Sequence, residues 1–279
     1  MNENDPIRDE KSKKLRKSIR DTGGIAIAFS GGVDSTYLAA VAHEELADRA
    51  LAVTALSPTY PAREQSEAVE IARQIGIRHE VVESNELEIP GFSENPVDRC
   101  YYCKSELFEV VRAIADKHGL PAIADGSNAD DLDDFRPGRK AACELSVLSP
   151  LLEAGMTKDD IRWFSREMGL PTASKPAFAC LASRFPYGSH ITEEGLNAVD
   201  GIEDALRSLG FGQVRVRHHG EIARIEVEPA DIPKACEPEV RARISKVAHE
   251  AGFLYAAVDI DGYRTGSMNE GLSESEKTV

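Results

Sequence analysis

The sequence predicts an α/β fold: a domain built on a parallel sheet, followed by a smaller α+β domain. Three observations carry that expectation. Short apolar runs alternate with segments of helical periodicity through the first half of the chain. The first run, Ile25-Ala26-Ile27-Ala28-Phe29, passes through Ser30-Gly31-Gly32-Val33-Asp34-Ser35 into Thr36-Tyr37-Leu38-Ala39-Ala40, the pattern of a strand, a glycine turn and a helix start. Beyond about residue 190 the order changes to helix, hairpin, helix and strand.

The elements follow in order. Lys13 to Arg20 reads as a short basic helix and Ile25 to Phe29 as the first strand. Ser35 to Leu46 carries alanine and leucine at helical spacing, and Leu51 to Leu56 is the second apolar run. Arg63 to Ile75 predicts a helix, and Glu80-Val81-Val82-Glu83 a third strand. Leu107, Phe108, Val110, Val111 and Ile114 mark a helix from Cys103 to His118 that ends at Gly119. Pro121 to Ala124 is the fourth strand and opens into Asp125-Gly126-Ser127-Asn128. Strands alternating with helices imply right-handed crossovers, with ligands beyond the carboxyl ends of the strands. The glycine turn and the Asp125 loop both lie at that edge.

Thr157 caps a helix from Lys158 to Met168 that stops at Gly169, before Pro171. The stretch to about Ser189, with Pro176, Pro186 and Gly188, reads as an ordered loop. Then come a helix Glu193 to Leu209, a strand Gln213 to Arg217, a turn at His219-Gly220, a strand Ile222 to Val227, a helix near Pro238 to Ala251 and a strand Leu254 to Ile260. The expected domains are 1–187 and 188–279.

Composition bounds the function. With 42% hydrophobic and 29% charged residues the chain is ordinary for a globular protein, and no run approaches the roughly 18 to 20 apolar residues that span a bilayer. Met1-Asn2-Glu3-Asn4-Asp5 is polar and acidic, with no apolar core of a secretory signal, so a cytoplasmic protein is expected. A net charge of −15 argues against a broad nucleic-acid interface. In a reducing compartment the five cysteines read as ligands or reactive thiols, not as a disulfide framework.

Glycines at 31 and 32 let backbone N–H groups approach an anion, and the first turn of the following helix adds unpaired donors and a positive dipole end. Ser30 and Ser35 add hydroxyl donors, and Asp34 either caps the helix or holds magnesium. The turn lacks the Gly-Lys-Ser/Thr ending of a nucleoside-triphosphatase P-loop and carries no lysine, so release of pyrophosphate fits it better. Cys100-Tyr101-Tyr102-Cys103 places two thiols at the spacing of a metal or iron corner; by itself it is equally half a zinc site, a redox dithiol or a coincidence. Cys180 supplies a third thiol, and three leave one coordination position open.

The Ser30–Ser35 run resembles the SGGxDS hallmark of the PP-loop, or N-type ATP pyrophosphatase, superfamily, whose fold is of the adenine nucleotide alpha hydrolase kind. Further segments are similar to the LarE-like ATP-dependent sulfur transferases, which mature the nickel-pincer nucleotide cofactor of lactate racemase. These are Ala179-Cys180-Leu181-Ala182-Ser183-Arg184-Phe185-Pro186-Tyr187-Gly188, the Asp125 loop, Arg136-Pro137-Gly138, Val214-Arg215-Val216-Arg217 and Ile222-Ala223-Arg224-Ile225-Glu226. The resemblance runs from about residue 13 to Met268. It implies that ATP adenylates a carboxylate of pyridinium-3,5-biscarboxylic acid mononucleotide, that pyrophosphate leaves with Mg2+ assistance, and that sulfur then displaces AMP. Relatives with one cysteine at the position of Cys180 give up that residue's own sulfur. Those with three, as here, bind a 4Fe-4S cluster whose open iron carries a transferable sulfide. The resemblance also implies a homo-oligomer, a hexamer being the form considered, and names no ultimate sulfur donor.

Arg215 and Arg217 fall on one face of a strand, either as an anion site or as a solvated pair matched to glutamates such as Glu221 or Glu226; the resemblance makes them binders of substrate phosphate. Asp125 and Asn128 line the nucleotide site or simply form a turn. Ser183 and Arg184 hold the acyl-adenylate beside Cys180, or Arg184 orders its loop through an ion pair. Trp163, Cys143 and Cys236 read as core, and His218 and His219 as surface. The alternatives are an iron-sulfur-dependent tRNA thiolase and a non-catalytic nucleotide or cluster sensor.

Overall fold

The computed structural model describes residues 5–132, 137–176, 179–264 and 266–267, so expectations touching Arg136, Ala177, Phe178 or Met268 lie outside it. The chain divides into two compact units, one of Met1–Ser57, Ala62–Ser84 and Cys100–Phe178, the other of Pro58–Pro61, Asn85–Arg99 and Ala179–Val279. The second unit thus takes in more than the residues after 187. Its early segments are tied to the later chain by hydrogen bonds: Leu181 N donates to Thr59 O at 2.7 Å, and Asn95 Nδ2 donates to the carbonyls of Phe185 and Pro186 at 3.2 and 2.7 Å.

The first unit runs α1 (Pro6–Thr22), β1 (Ile25–Ala28), α2 (Val33–Leu46), β2 (Ala50–Leu56), α3 (Ala62–Ile75), β3 (Arg78–Glu83), α4 (Arg99–Lys117), β4 (Ala122–Ala124), α5 (Gly138–Glu144), α6 (Pro150–Glu153) and α7 (Lys158–Glu167). Its four strands are all parallel, in the order β3-β2-β1-β4. Side chains alternate across a strand. Ile25, Ile27, Ala50 and Ala52 therefore meet Leu15, Leu38, Ala68 and Ile161 on one face, while Ala26, Leu51, Val53 and Ile123 meet Phe108, Val111 and Ala141 on the other. A parallel sheet covered on both faces results, in which each fully buried Leu or Ile contributes roughly 1.5–3 kcal/mol. Because β2 and β4 flank β1 on opposite sides, the strand order reverses at β1, and a crevice opens at the carboxyl ends of β1 and β4.

α1 extends beyond the expected Lys13–Arg20. Asp5 Oδ1 accepts from Ile7 N at 3.0 Å, Pro6 sits in the first turn, and Gly23 at φ 65° ends the helix. α4 starts at Arg99, with Arg99 N bonded to Pro96 O at 3.0 Å, four residues before the expected start at Cys103, which places both cysteines of the C-x-x-C inside its first turns. α5 and α6 are too short to leave a periodic signal.

The second unit contains α8 (Glu193–Ser208), β5 (Val214–His219), β6 (Ile222–Val227), α9 (Ile232–Ala235), α10 (Pro238–Glu250) and β7 (Tyr255–Val258). β5 and β6 form an antiparallel hairpin turning at Gly220, φ 61°, and β7 adds to β6 in parallel through α10. Val214, Val216, Ala223, Ile225 and Val227 are buried.

Candidate functional site

β1 ends at the sheet's switch point, and the chain turns through Ser30-Gly31-Gly32 into α2. Gly31 has φ +65°, and a Cβ there would stand 2.9 Å from the Ala68 Cα of α3, so only glycine lets the turn lie against that helix. Gly32 is the N-cap of α2 and makes no side-chain hydrogen bond to the first turn. Ser30 Oγ and Ser35 Oγ lie 3.2 Å apart, and Ser35 Oγ donates to Gly32 O at 3.3 Å. The turn thus presents backbone donors and a positive helix end at the carboxyl edge, a geometry suited to phosphate.

Across the crevice β4 delivers Asp125, whose carboxylate accepts from Ser127 Oγ at 2.6 Å, Ser149 Oγ at 2.8 Å and Ser127 N at 3.2 Å. Gly126 follows because a Cβ there would stand 3.1 Å from Ser35 N, so the β4 loop closes onto the start of α2. Asn128 is buried and shapes that loop: its Oδ1 accepts from Asp130 N at 3.0 Å, and its backbone N–H donates to Asp131 Oδ2 at 3.0 Å.

The turn holds no lysine, yet the fold brings two to it. Lys158, the first residue of α7, ion-pairs with Asp34 Oδ2, and its position is fixed by the reciprocal cap of Thr157 and Asp160. Lys175 Nζ lies 2.7 Å from Glu64 Oε2, 2.8 Å from Glu67 Oε2 and 3.3 Å from Gly31 O. Burial pushes the Glu64 carboxyl up, but Lys175 and Arg63 outweigh it and hold the net value below the ordinary range. Sequence reasoning missed both lysines, because each stands in a segment whose local pattern gives only a helix cap or a loop.

Cys100 and Cys103 share the first turns of α4, Cys100 exposed and Cys103 half-buried. α5 packs on them: a Cβ on Gly138 would come 2.8 Å from Lys104 Cγ and 3.3 Å from Cys100 O. Tyr101 OH donates to Glu144 Oε2 at 2.7 Å, which ties the other end of α5 to the same turn. Among the described residues no group of three or more His, Cys, Asp or Glu side chains comes together as a metal site.

Cys180 belongs to the second unit, where it caps a short 3-10 turn, Leu181–Arg184. Arg184 is fully buried. Its Nε and Nη2 donate to the two oxygens of Glu203, equally buried, at 2.8 and 2.9 Å, and its Nη1 donates to Ala179 O, Cys180 O and Ser183 Oγ at 2.8, 3.2 and 3.0 Å. The loop-ordering ion pair, one of the two readings of Arg184, is what the geometry displays. Glu203 had no signal in the sequence. Burial pushes it up, but Arg184 and the Val216 N–H hold its carboxyl below the usual range.

Arg215 and Arg217 are buried on β5, so the pair is not solvated, although the match to Glu226 expected of that reading is present at Arg217. Arg217 donates to Ser183 O at 3.0 Å, to Glu226 Oε2 at 2.7 Å and to Ser267 Oγ at 3.2 Å. Arg215 lies over the Tyr263 ring, 5.3 Å from guanidinium to centroid, and burial with the neighbouring Arg184 pulls it down to about 10. The segment of Cys180 and Ser183 is thus joined to Arg217 of β5 within one unit by a direct hydrogen bond.

Two core expectations are corrected: Cys143 and Cys236 are exposed, Cys143 in the last turn of α5 and Cys236 at the C-cap of α9. Trp163 is half-buried under Arg8, 5.5 Å from the ring centroid. His218, expected at the surface, stacks on Phe185 at 4.7 Å and meets Phe253 at 5.1 Å, while His219 is exposed.

The family model described as asparagine synthase matches residues 10–100. An uncharacterised protein of Synechocystis sp. is 42% identical over 95% of this chain and 99% of its own length. The pyridinium-3,5-bisthiocarboxylic acid mononucleotide synthase of Lactiplantibacillus plantarum is 34% identical over 95% of this chain and 96% of its own. An uncharacterised protein of Methanocaldococcus jannaschii is 28% identical over 90% of this chain and 96% of its own.

Proposed function

The chain belongs to the LarE-like family of PP-loop proteins, and from that premise we propose that it is an ATP-dependent sulfur transferase acting on pyridinium-3,5-biscarboxylic acid mononucleotide in nickel-pincer cofactor synthesis. The observation that carries this reading is the glycine turn at the switch point of the sheet, whose helix start has no side-chain cap and faces Asp125. A carboxylate is a poor electrophile until it bears a leaving group. Its oxygen attacks the α-phosphorus of ATP, the bond to the β-phosphate breaks, and pyrophosphate departs into the turn's N–H donors. A sulfur nucleophile then attacks the acyl carbon and AMP leaves: a sulfide gives the thiocarboxylate directly, whereas a cysteine thiolate gives a thioester whose Cβ–S bond then breaks, with loss of the α-proton, to leave the thiocarboxylate and a dehydroalanine.

Ser30, Gly31, Gly32, Ser35 and Asp125 are assigned to the nucleotide. Asp34, one carboxylate beside the phosphate turn, fits a magnesium ion that keeps most of its water; when bound, the ion neutralises charge on the departing pyrophosphate. Arg215 and Arg217 take the substrate phosphate, and Ser183 with Arg184 fixes the Cys180 segment. Sulfur handling falls to Cys180, Cys100 and Cys103. The pair on α4 fits adjacent corners of a 4Fe-4S cluster with Cys180 as the proposed third ligand, and such a cluster would supply a transferable sulfide. The described residues gather the pair and not a triad, so the steps above run through no cluster.

Pyrophosphate release dependent on the biscarboxylate nucleotide tests the reading. Release with tRNA but not with that nucleotide selects the thiolase, and ATP binding without release under either condition selects a sensor. Cys180→Ala is expected to release pyrophosphate yet form no thiocarboxylate. Replacing Arg215 and Arg217 together by alanine raises the substrate requirement while adenylation persists at saturation. Iron and sulfide assay after anaerobic purification, with mass spectrometry of Cys180 before and after turnover, separates cluster-borne sulfide from a sacrificed side chain.

A further inference from the structure

Resting on the ATP-using reading above, we infer that Lys158 and Lys175 are the cations that receive the triphosphate at the glycine turn, and that Asp34, Glu64 and Glu67 hold them in place until it arrives. A turn made of glycine, serine and backbone N–H groups neutralises little formal charge, and the anion bound there carries several negative charges. Two ammonium groups reach the turn, from α7 and from the chain beyond it, one on the Asp34 carboxylate and one 3.3 Å from Gly31 O. Both sit on the side of the turn from which α2 begins or on its flank against α3, within the same compact unit.

Their present partners are arranged for exchange. Arg63 Nη2 lies 3.0 Å from Glu64 Oε1, and its Nε lies 3.9 Å from Glu67 Oε1. When Lys175 turns to phosphate, Glu64, the buried member, therefore keeps a cation and pays no penalty for a bare buried charge. Glu67 is half in solvent and tolerates the loss by hydration. On the other side, Lys158 leaving Asp34 uncovers the carboxylate assigned to magnesium, so the ion and the phosphate arrive at groups that released one another. The lysines are then not static struts between α3, α7 and the turn. They are ligands stored on carboxylates, and phosphate competes with those carboxylates for them.

That competition gives a readout which a purely structural role does not. With the full chain, calorimetric titration with inorganic pyrophosphate in the presence of Mg2+ is expected to show about tenfold weaker binding for Lys175→Met and for Lys158→Met, the loss of one charge-assisted contact each. Lys175→Arg is expected to recover part of it. Glu67→Gln, at an exposed site where folding is not in question, is expected to bind pyrophosphate more tightly than wild type, because it removes a competitor for Lys175. Adenosine, which has no phosphate, serves as the control, and its binding should move in none of these variants. Lysine variants that bind pyrophosphate as well as wild type, or a Glu67→Gln chain whose affinity is unchanged or weaker, overturn the inference while leaving the function reading intact. A wild-type chain that binds neither ATP nor pyrophosphate overturns both.

Discussion

Asp200 lies on α8 beside Glu203 and Asp204, and its Oδ1 is buried with no hydrogen-bond partner among the described residues. Burial first, then the like charges of Asp204 and Glu203, push its carboxyl up to about 6. An acid raised in the folded state holds its proton there after the unfolded chain has lost it. Its contribution to stability is therefore greatest below the unfolded value and falls as pH rises from about 4 through about 6. Asp200→Asn removes that loss. The variant is expected to be more stable than wild type by up to about 2 kcal/mol at pH 8, the half-buried setting keeping the gain below the full linkage value, and to match it near pH 4. Urea denaturation across this pH range checks it, and an equal gain at both ends would place the cause in packing instead of charge. The buried Arg184–Glu203 pair behaves oppositely: Glu203→Gln strands a buried guanidinium, and the second unit is expected to lose about 3–5 kcal/mol.

At the scale of elements, the β1–turn–α2 unit combines a backbone constraint with a steric one. Gly31→Ala places a Cβ at positive φ and 2.9 Å from Ala68 Cα. The turn must move off α3, and nucleotide binding is expected to fall by at least tenfold together with a stability loss of about 1–3 kcal/mol. Gly155→Ala, also at positive φ (+70°) but with open space around it, should cost stability alone, so thermal melting and ATP titration distinguish the two. The turn was legible in the sequence because its function requires consecutive residues: an apolar strand, glycines without Cβ, and the start of a helix. The alternation of strands and helices was legible for the same reason, since periodicity is local. Lys158, Lys175 and Glu203 were not. Each acts on a partner distant in the chain, through a side chain whose own neighbours in sequence say nothing of it. The exposed Cys143 and Cys236 and the packed His218 show the same limit, because burial is decided by which helix end reaches the surface and which ring meets Phe185.

For the molecule as a whole, a net charge of −15 sets what it can approach. Arg184, Arg215 and Arg217 do not offset this at the surface, because all three are buried, and Arg184 and Arg217 are paired to Glu203 and Glu226. The phosphate site proposed at Arg215 and Arg217 suits one small anion, not a polymer laid across a face. Nucleic-acid binding by counterion release strengthens as salt falls, whereas repulsion between an acidic chain and phosphate strengthens in the same direction. The two therefore diverge most at low ionic strength. In gel-shift titrations the wild-type chain is expected to leave tRNA unshifted even at about 50 mM salt, where a tRNA-binding enzyme would bind most tightly. A shift at about 50 mM that disappears by about 200 mM would show a basic surface that the charge balance hides, and would favour the thiolase alternative.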